Sequence, residues 1–196
     1  MAISNALKKV TGLSKGGLWT LFLLAAFPTH VWTIVLVLRD FSWVSERTNA
    51  WDAVGVGAYG LLIAFVESLF VFLIAVILSS LLRFSWQENK RLVLFFILIL
   101  AVSLWAMVNQ LHFMAGWTLP TGVFWFLTRQ TRPLVVFYLL MMIVVGVTVL
   151  LPVYFVLRSD KFVRGLQGVI ERISLLMTLY LVLDVGSLVI VMLRNL

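Results

Sequence analysis

The sequence predicts an all-α, polytopic integral membrane protein with five transmembrane helices. Of its 196 residues, 63% are hydrophobic and 12% are charged, against about 45–50% and about 25% in a typical soluble domain. The mean hydropathy is +1.11. A soluble fold of this length cannot bury so much apolar surface. The composition therefore excludes a cytosolic enzyme, a secreted disulfide scaffold and a disordered chain.

Five apolar stretches are each long enough to cross the hydrocarbon core, which takes about 20 helical residues. They are residues 18–38, 53–82, 92–114, 134–157 and 173–193. Of the 15 basic and 8 acidic residues, only Glu67 and Asp184 fall inside these stretches. None of the stretches alternates apolar and polar residues as barrel strands do, so each is predicted to be a helix.

The basic residues outside the spans predict the orientation of the chain. Ten of them lie before the first span, in the loop after the second or in the loop after the fourth, and five lie on the other side. Because lysine and arginine accumulate in cytoplasmic segments, we expect the N-terminus inside and the C-terminus outside. The expected location is a cell (plasma) membrane, crossed several times.

Two basic segments are predicted to lie on the inner membrane surface. Residues 1–17 form an amphipathic N-terminal segment, followed by one five-helix transmembrane domain over residues 18–196. Apolar residues in both segments recur at helical spacing, which is typical of interfacial helices; they are Ile3, Leu7, Val10 and Leu13 in the first, and Phe162, Leu166 and Ile170 in the fourth loop. The residues expected to contact inner headgroups are Lys8, Lys9, Lys15, Lys161 and Arg164. A docking face for a cytoplasmic partner is the alternative interpretation.

The two outer loops are rich in aromatic residues. Their tryptophans are Trp43, Trp51, Trp117 and Trp125. Tryptophan favours the membrane interface because its ring is apolar and its N–H needs a partner. The loops therefore form either an aromatic belt or a contact surface for a lipid, a quinone-like molecule or another membrane subunit. Within residues 116–132, the second half is predicted to form a short interfacial helix.

Two acids, Glu67 and Asp184, lie near the middle of the second and fifth spans. An ionisable side chain at that depth costs at least about 2.5–3.5 kcal/mol, which makes it a candidate for function. Small residues recur beside Glu67 along the second span and allow close helix packing; they are Gly57, Gly60, Ala64, Ser68, Ala75 and Ser79. We therefore expect Glu67 to point into the bundle.

His30 and Asn109 are the polar residues that join these acids in a candidate intramembrane cluster. On the fifth span, Tyr180 and Ser187 share a helix face with Asp184 and are expected to be its local partners. Three interpretations stay open: a proton relay through carboxyl and imidazole groups, a cation site built on both carboxylates, or protonated acids that tie the helices together.

Several kinds of chemistry find no support in the sequence. Without cysteine, thiolate metal sites and cysteine nucleophiles are excluded. A haem held by His30 and His112 is disfavoured because their depths differ by roughly 9 Å. Metalloprotease, nucleophile-elbow and phosphate-loop motifs are missing. We expect no catalysis, no cofactor and no metal. The net charge of +7 fits anionic headgroups better than nucleic acid.

Three functions follow from this pattern as hypotheses. The first is a non-catalytic helical subunit or accessory factor of a larger membrane assembly, with other subunits or copies of itself as partners beside the lipids. The second is a component of a small proton- or cation-coupled transporter or channel that uses the mid-membrane carboxylates. The third is a lipid-handling protein that uses the aromatic outer loops.

Overall fold

The computed structural model describes residues 11–82, 86–116 and 118–196. Within them the chain forms six helices: α1 (Lys15–Arg47), α2 (Ala50–Leu81), α3 (Glu88–Ala115), α4 (Thr121–Thr128), α5 (Pro133–Arg158) and α6 (Asp160–Asn195). All except α4 are long and apolar enough to cross a membrane. The all-α class and the five predicted spans are thus confirmed. Which end faces the cytoplasm stays a prediction.

The segment between the first two spans is almost entirely helical, so the prediction of an outer loop there is wrong. α1 continues to Arg47, and only two residues separate it from α2. Asn49 caps α2 by accepting a hydrogen bond from the backbone N–H of Asp52 at 2.9 Å. Trp43 and Trp51 therefore lie on helices. Charged residues mark the end of an apolar stretch, but they do not end a helix. A helix ends where a capping residue or a helix-breaking residue stops it.

The amphipathic fourth loop is the beginning of α6. Ser159 caps this helix by accepting a hydrogen bond from the N–H of Phe162 at 3.2 Å. Ile170 is buried in a core formed with α3 and α5, and Phe162 and Leu166 pack against the same core. The apolar stripe that was expected on headgroups thus faces protein, because α3 and α5 offer an apolar surface at the same level.

The predicted N-terminal segment lies largely outside the described residues, since its first ten residues, with Lys8 and Lys9, are not among them. Leu13, the last apolar residue of that segment, is fully buried and packs with Leu21 of α1 and Leu92 of α3. It therefore belongs to the protein core. Of the other residues expected at inner headgroups, Lys15, Lys161 and Arg164 are exposed.

α1 is the central helix and packs against α2, α3 and α6. α5 lies at the periphery against α3, α4 and α6, and no residue in its most hydropathic 18-residue window is buried. We call the end where α1, α3 and α6 begin the basic end. There Lys90 Nζ donates a hydrogen bond to the carbonyl of Leu157 at 3.0 Å, which joins the start of α3 to the end of α5.

Arg91 organises the basic end although it is fully buried. Its Nη1 donates to the carbonyls of Thr11 at 2.9 Å and Ser79 at 3.2 Å, and its Nε donates to that of Trp86 at 3.4 Å. The guanidinium thus holds the N-terminal segment, the end of α2 and the start of α3 together. The sequence predicts that Arg91 lies in a loop outside the spans, but in the structure it is buried inside the protein.

The small residues of α2 pack against α1, as their spacing predicts. Gly57, Ala64, Ser68, Ala75 and Ser79 are all buried. The two helices approach so closely that a Cβ built on Gly57 lies 3.0 Å from Cγ1 of Val37, and one built on Gly60 lies 3.3 Å from Cγ2 of Thr33. Small side chains allow this approach in a membrane, where packing drives helix association.

Gly57→Leu is expected to lower the free energy of unfolding in detergent micelles by about 1–3 kcal/mol, because the added side chain overpacks the α1–α2 interface. Gly146→Leu on α5 is the matched control, since no atom lies within 4 Å of a Cβ at that position. If both variants lose the same free energy of unfolding, the close contact between Gly57 and Val37 is not the cause of the loss.

Candidate functional site

The side chains of His30 on α1 and Asp184 on α6 meet inside the bundle. His30 is fully buried and Asp184 is 6% exposed. Nε2 of His30 lies 3.1 Å from Oδ1 and 3.0 Å from Oδ2 of Asp184. The structure therefore brings together two of the four residues in the predicted intramembrane cluster. Among the described residues, the hydrogen-bond partner of the Asp184 side chain is His30, not Tyr180 or Ser187.

His30 makes contacts through both ring nitrogens. Nδ1 lies 2.8 Å from the carbonyl oxygen of Ala26, which can only accept, so this contact requires a hydrogen on Nδ1. Nε2 faces the carboxyl group of Asp184. Both polar side chains of this buried pair therefore have partners, which lowers the cost of placing them at membrane depth.

Two hydroxyl groups extend this polar contact to α2. Thr29 Oγ1 lies 2.8 Å from Ser68 Oγ and 3.4 Å from His30 Nδ1. Ser68 also donates to the carbonyl of Ala64 at 2.6 Å. Polar groups of α1, α2 and α6 thus meet in one strip, which sequence spacing alone did not identify because Thr29 and Ser68 lie 39 residues apart.

Glu67 and Asn109 lie outside this strip. Glu67 is exposed rather than directed into the core, and Asn109 is exposed on α3. Ser68 occupies the face of α2 that packs on α1, so the adjacent residue is turned away by about 100° in a helix of 3.6 residues per turn. The prediction that Glu67 points into the bundle is therefore wrong for this chain.

Glu67 instead lines a groove of about 310 Å³ along α1 and α2, together with Asp40 and Gln110. At this groove Trp32 Nε1 donates a hydrogen bond to Gln110 Oε1 at 2.5 Å. Asp184 lines a different cleft. The two mid-membrane acids thus do not form a shared two-carboxylate site within the described chain, where no three His, Asp or Glu side chains gather as metal ligands.

A larger apolar cleft, which we call the lateral cleft, lies between α1, α2 and α6. Its volume is about 730 Å³. Apolar side chains from all three helices form its walls, among them Trp19 and Phe22 of α1, Phe65 and Phe72 of α2, and Leu181 and Val185 of α6. Lys15 and Asp184 are the two residues in its lining with ionisable side chains. Sequence reasoning missed the cleft because three distant segments build it.

The lateral cleft extends along the bundle from the basic end toward its middle. Lys15 is the first residue of α1 and precedes the first apolar span. His30, which contacts Asp184, lies 15 positions further along, or about 22 Å at 1.5 Å per residue. Half of a hydrocarbon core is about 15 Å thick. The distance along α1 from Lys15 to the level of the His30–Asp184 contact is therefore greater than half of a hydrocarbon core.

The aromatic residues at the opposite end are exposed on helices. Trp43, Trp51 and Trp125 are each more than half exposed, and Trp117 lies outside the described residues. The guanidinium of Arg47 lies 4.1 Å from the ring centroid of Trp43. These positions leave the tryptophans available for contacts, and their expected roles toward lipids or partners stay predictions.

No protein-family model, curated protein or solved structure matches this chain. The fold itself defines the class: a multi-pass helical membrane protein with five candidate membrane-spanning helices. Within that class, the lateral cleft and the His30–Asp184 pair, whose aspartate lines it, form the candidate site.

Proposed function

We propose that this protein handles lipid by binding an apolar chain of a membrane amphiphile in the lateral cleft. The observation that carries the proposal is a cleft of about 730 Å³ with almost entirely apolar walls from three helices. Sites for small molecules have roughly 300–1,000 Å³ and mostly apolar linings. The aromatic outer residues, which suggested lipid handling in the sequence, are not needed for this site.

Exposure of the cleft residues supports entry from the membrane. Trp19, Leu69, Val185 and Leu188 all line the cleft and are exposed in the isolated chain. An amphiphile in the surrounding leaflet therefore reaches the cleft sideways, without crossing the protein. The proposal further places the basic end on the cytoplasmic side of a cell membrane, as the basic residues indicate.

Val185→Trp is expected to reduce the lipid that stays bound after purification severalfold, because the indole occupies cleft volume. Val182→Trp is a closely matched control: Val182 is 66% exposed and Val185 64% exposed on the same helix, but Val182 is not part of the cleft lining. Native mass spectrometry of both variants from lipid nanodiscs measures the bound lipid per chain.

Retention that is unchanged in Val185→Trp, or reduced equally in both variants, would argue against a lipid site in the lateral cleft. Circular dichroism of both proteins checks that the helical content is preserved. This control excludes unfolding as the cause of a loss of bound lipid.

A second candidate function is that of a non-catalytic subunit of a larger membrane assembly. It is favoured by α5, whose most hydropathic window has no buried residue. Lipid tails also cover such a face, so this observation is less specific than a cleft. The same mass spectra separate the two functions, because a stable subunit retains a protein partner or a second copy.

A further inference from the structure

The lateral cleft has one basic residue in its lining, Lys15. α2 contributes only apolar side chains to the lining, among them Leu62, Phe65 and Leu69. Asp184 on α6 is hydrogen-bonded to His30. Lys15 at the basic end is therefore the charged residue of the lining that a bound molecule can contact without disturbing such a pair.

An acidic residue also lies at the start of α1, where it is hydrogen-bonded to Ser14, the residue before Lys15. Glu88 of α3 accepts hydrogen bonds from the backbone N–H of Ser14 at 3.1 Å and from its Oγ at 2.6 Å, and it is not part of the cleft lining. Among the described residues, the three salt bridges join other pairs. The ammonium group of Lys15 therefore has no carboxylate partner in this part of the chain.

Resting on the lipid-handling function proposed above, we infer that the preferred ligand is an anionic lipid. Its headgroup contacts Lys15, and one acyl chain lies along Trp19, Phe22 and Phe72 toward the middle of the bilayer. The carboxyl group of Asp184, which is hydrogen-bonded to His30, lies in the cleft far from Lys15 and so from the bound headgroup. Lys15 at headgroup level and a cleft about one leaflet deep together match a lipid with an anionic headgroup and an apolar chain.

The test compares phosphatidylglycerol with phosphatidylcholine of identical chains, mixed equally in nanodiscs around the full chain. Native mass spectrometry gives the ratio of the two lipids that stay bound. We expect phosphatidylglycerol to be preferred. In Lys15→Gln that preference falls about fivefold, because one lysine near an anionic surface contributes about 1 kcal/mol, and 1.4 kcal/mol is a factor of ten.

Two variants control for the position and the charge of Lys15. Lys161→Gln removes the same charge from the basic end, where Lys161 lines a separate groove between α5 and α6, and it is expected to keep the preference. Lys15→Arg is expected to restore it. If Lys15→Gln and Lys161→Gln reduce the preference for phosphatidylglycerol equally, the inference is overturned, since the preference then comes from the overall positive charge of the basic end and not from Lys15.

Three further outcomes relate this inference to the function on which it rests. If both lipids are retained equally by the unaltered protein, and Val185→Trp releases both, the preference for anions is wrong while lipid handling stands. If Val185→Trp releases neither lipid, both proposals fail. A mass showing a second chain or a partner that replaces lipid also overturns both, because protein then covers the cleft.

Discussion

Arg91→Met is expected to lower the free energy of unfolding by about 3–5 kcal/mol, the largest effect we predict. Arg91 is fully buried and donates hydrogen bonds to the carbonyls of Thr11, Ser79 and Trp86. Methionine fills similar space but donates nothing, so buried carbonyls lose a charged donor. Unfolding in detergent micelles, followed by circular dichroism, measures the loss.

Lys90→Met is the control for Arg91→Met. Lys90 is the preceding residue on α3, and its Nζ makes a hydrogen bond to Leu157 at an exposed position. Removing this charge is expected to cost less than about 1 kcal/mol, as for exposed polar contacts. If the two variants lose similar stability, the buried contacts of Arg91 do not hold the basic end together.

Asp184→Leu is expected to cost about 1–3 kcal/mol, since it leaves Nε2 of His30 buried without a partner. Asp184→Asn is expected to cost less than about 1 kcal/mol. The amide NH₂ of asparagine can donate to Nε2 while Nδ1 continues to donate to Ala26. The difference between the two variants, measured by unfolding in micelles, reports the hydrogen bond rather than the space that the side chain fills.

A double-mutant cycle with His30→Leu isolates the pair. We expect His30→Leu combined with Asp184→Leu to cost less than the sum of the single changes, because no buried partner is then left alone. A loss in Asp184→Asn as large as that in Asp184→Leu would contradict the hydrogen-bond account. It would favour a charged pair, and proton-dependent flux in proteoliposomes would then be the measurement to make.

Much of the secondary structure is predictable from the sequence because it follows from local properties. The five spans are recognisable since each stretch of about 20 apolar residues satisfies the length of a membrane helix without reference to the others. The stripe that includes Gly57 and Ser68 likewise predicts a tightly packed face of α2. The helix ends are less predictable, as the continuation of α1 to Arg47 shows.

Contacts between helices limit what the sequence can predict about the site. Asp184 and His30 were both candidates, yet their contact depends on how α1 and α6 are rotated about their axes. Glu67 was the equal of Asp184 by depth and charge. Its exposure follows from its position one residue before Ser68, which takes the place on the α1-facing side.

The sequence by itself determined that this chain is built for a membrane, where its five spans lie, and that two acids interrupt them near mid-span. These properties follow from the free energy of transferring each residue from water into hydrocarbon, which is summed along the chain. Only the tertiary structure decided that Asp184 contacts His30, that Glu67 faces a separate groove, and that Lys15 lines an apolar cleft. Those outcomes depend on contacts between segments that are distant in the sequence, 154 residues apart for His30 and Asp184, and such contacts are set by how the helices pack and not by any one segment.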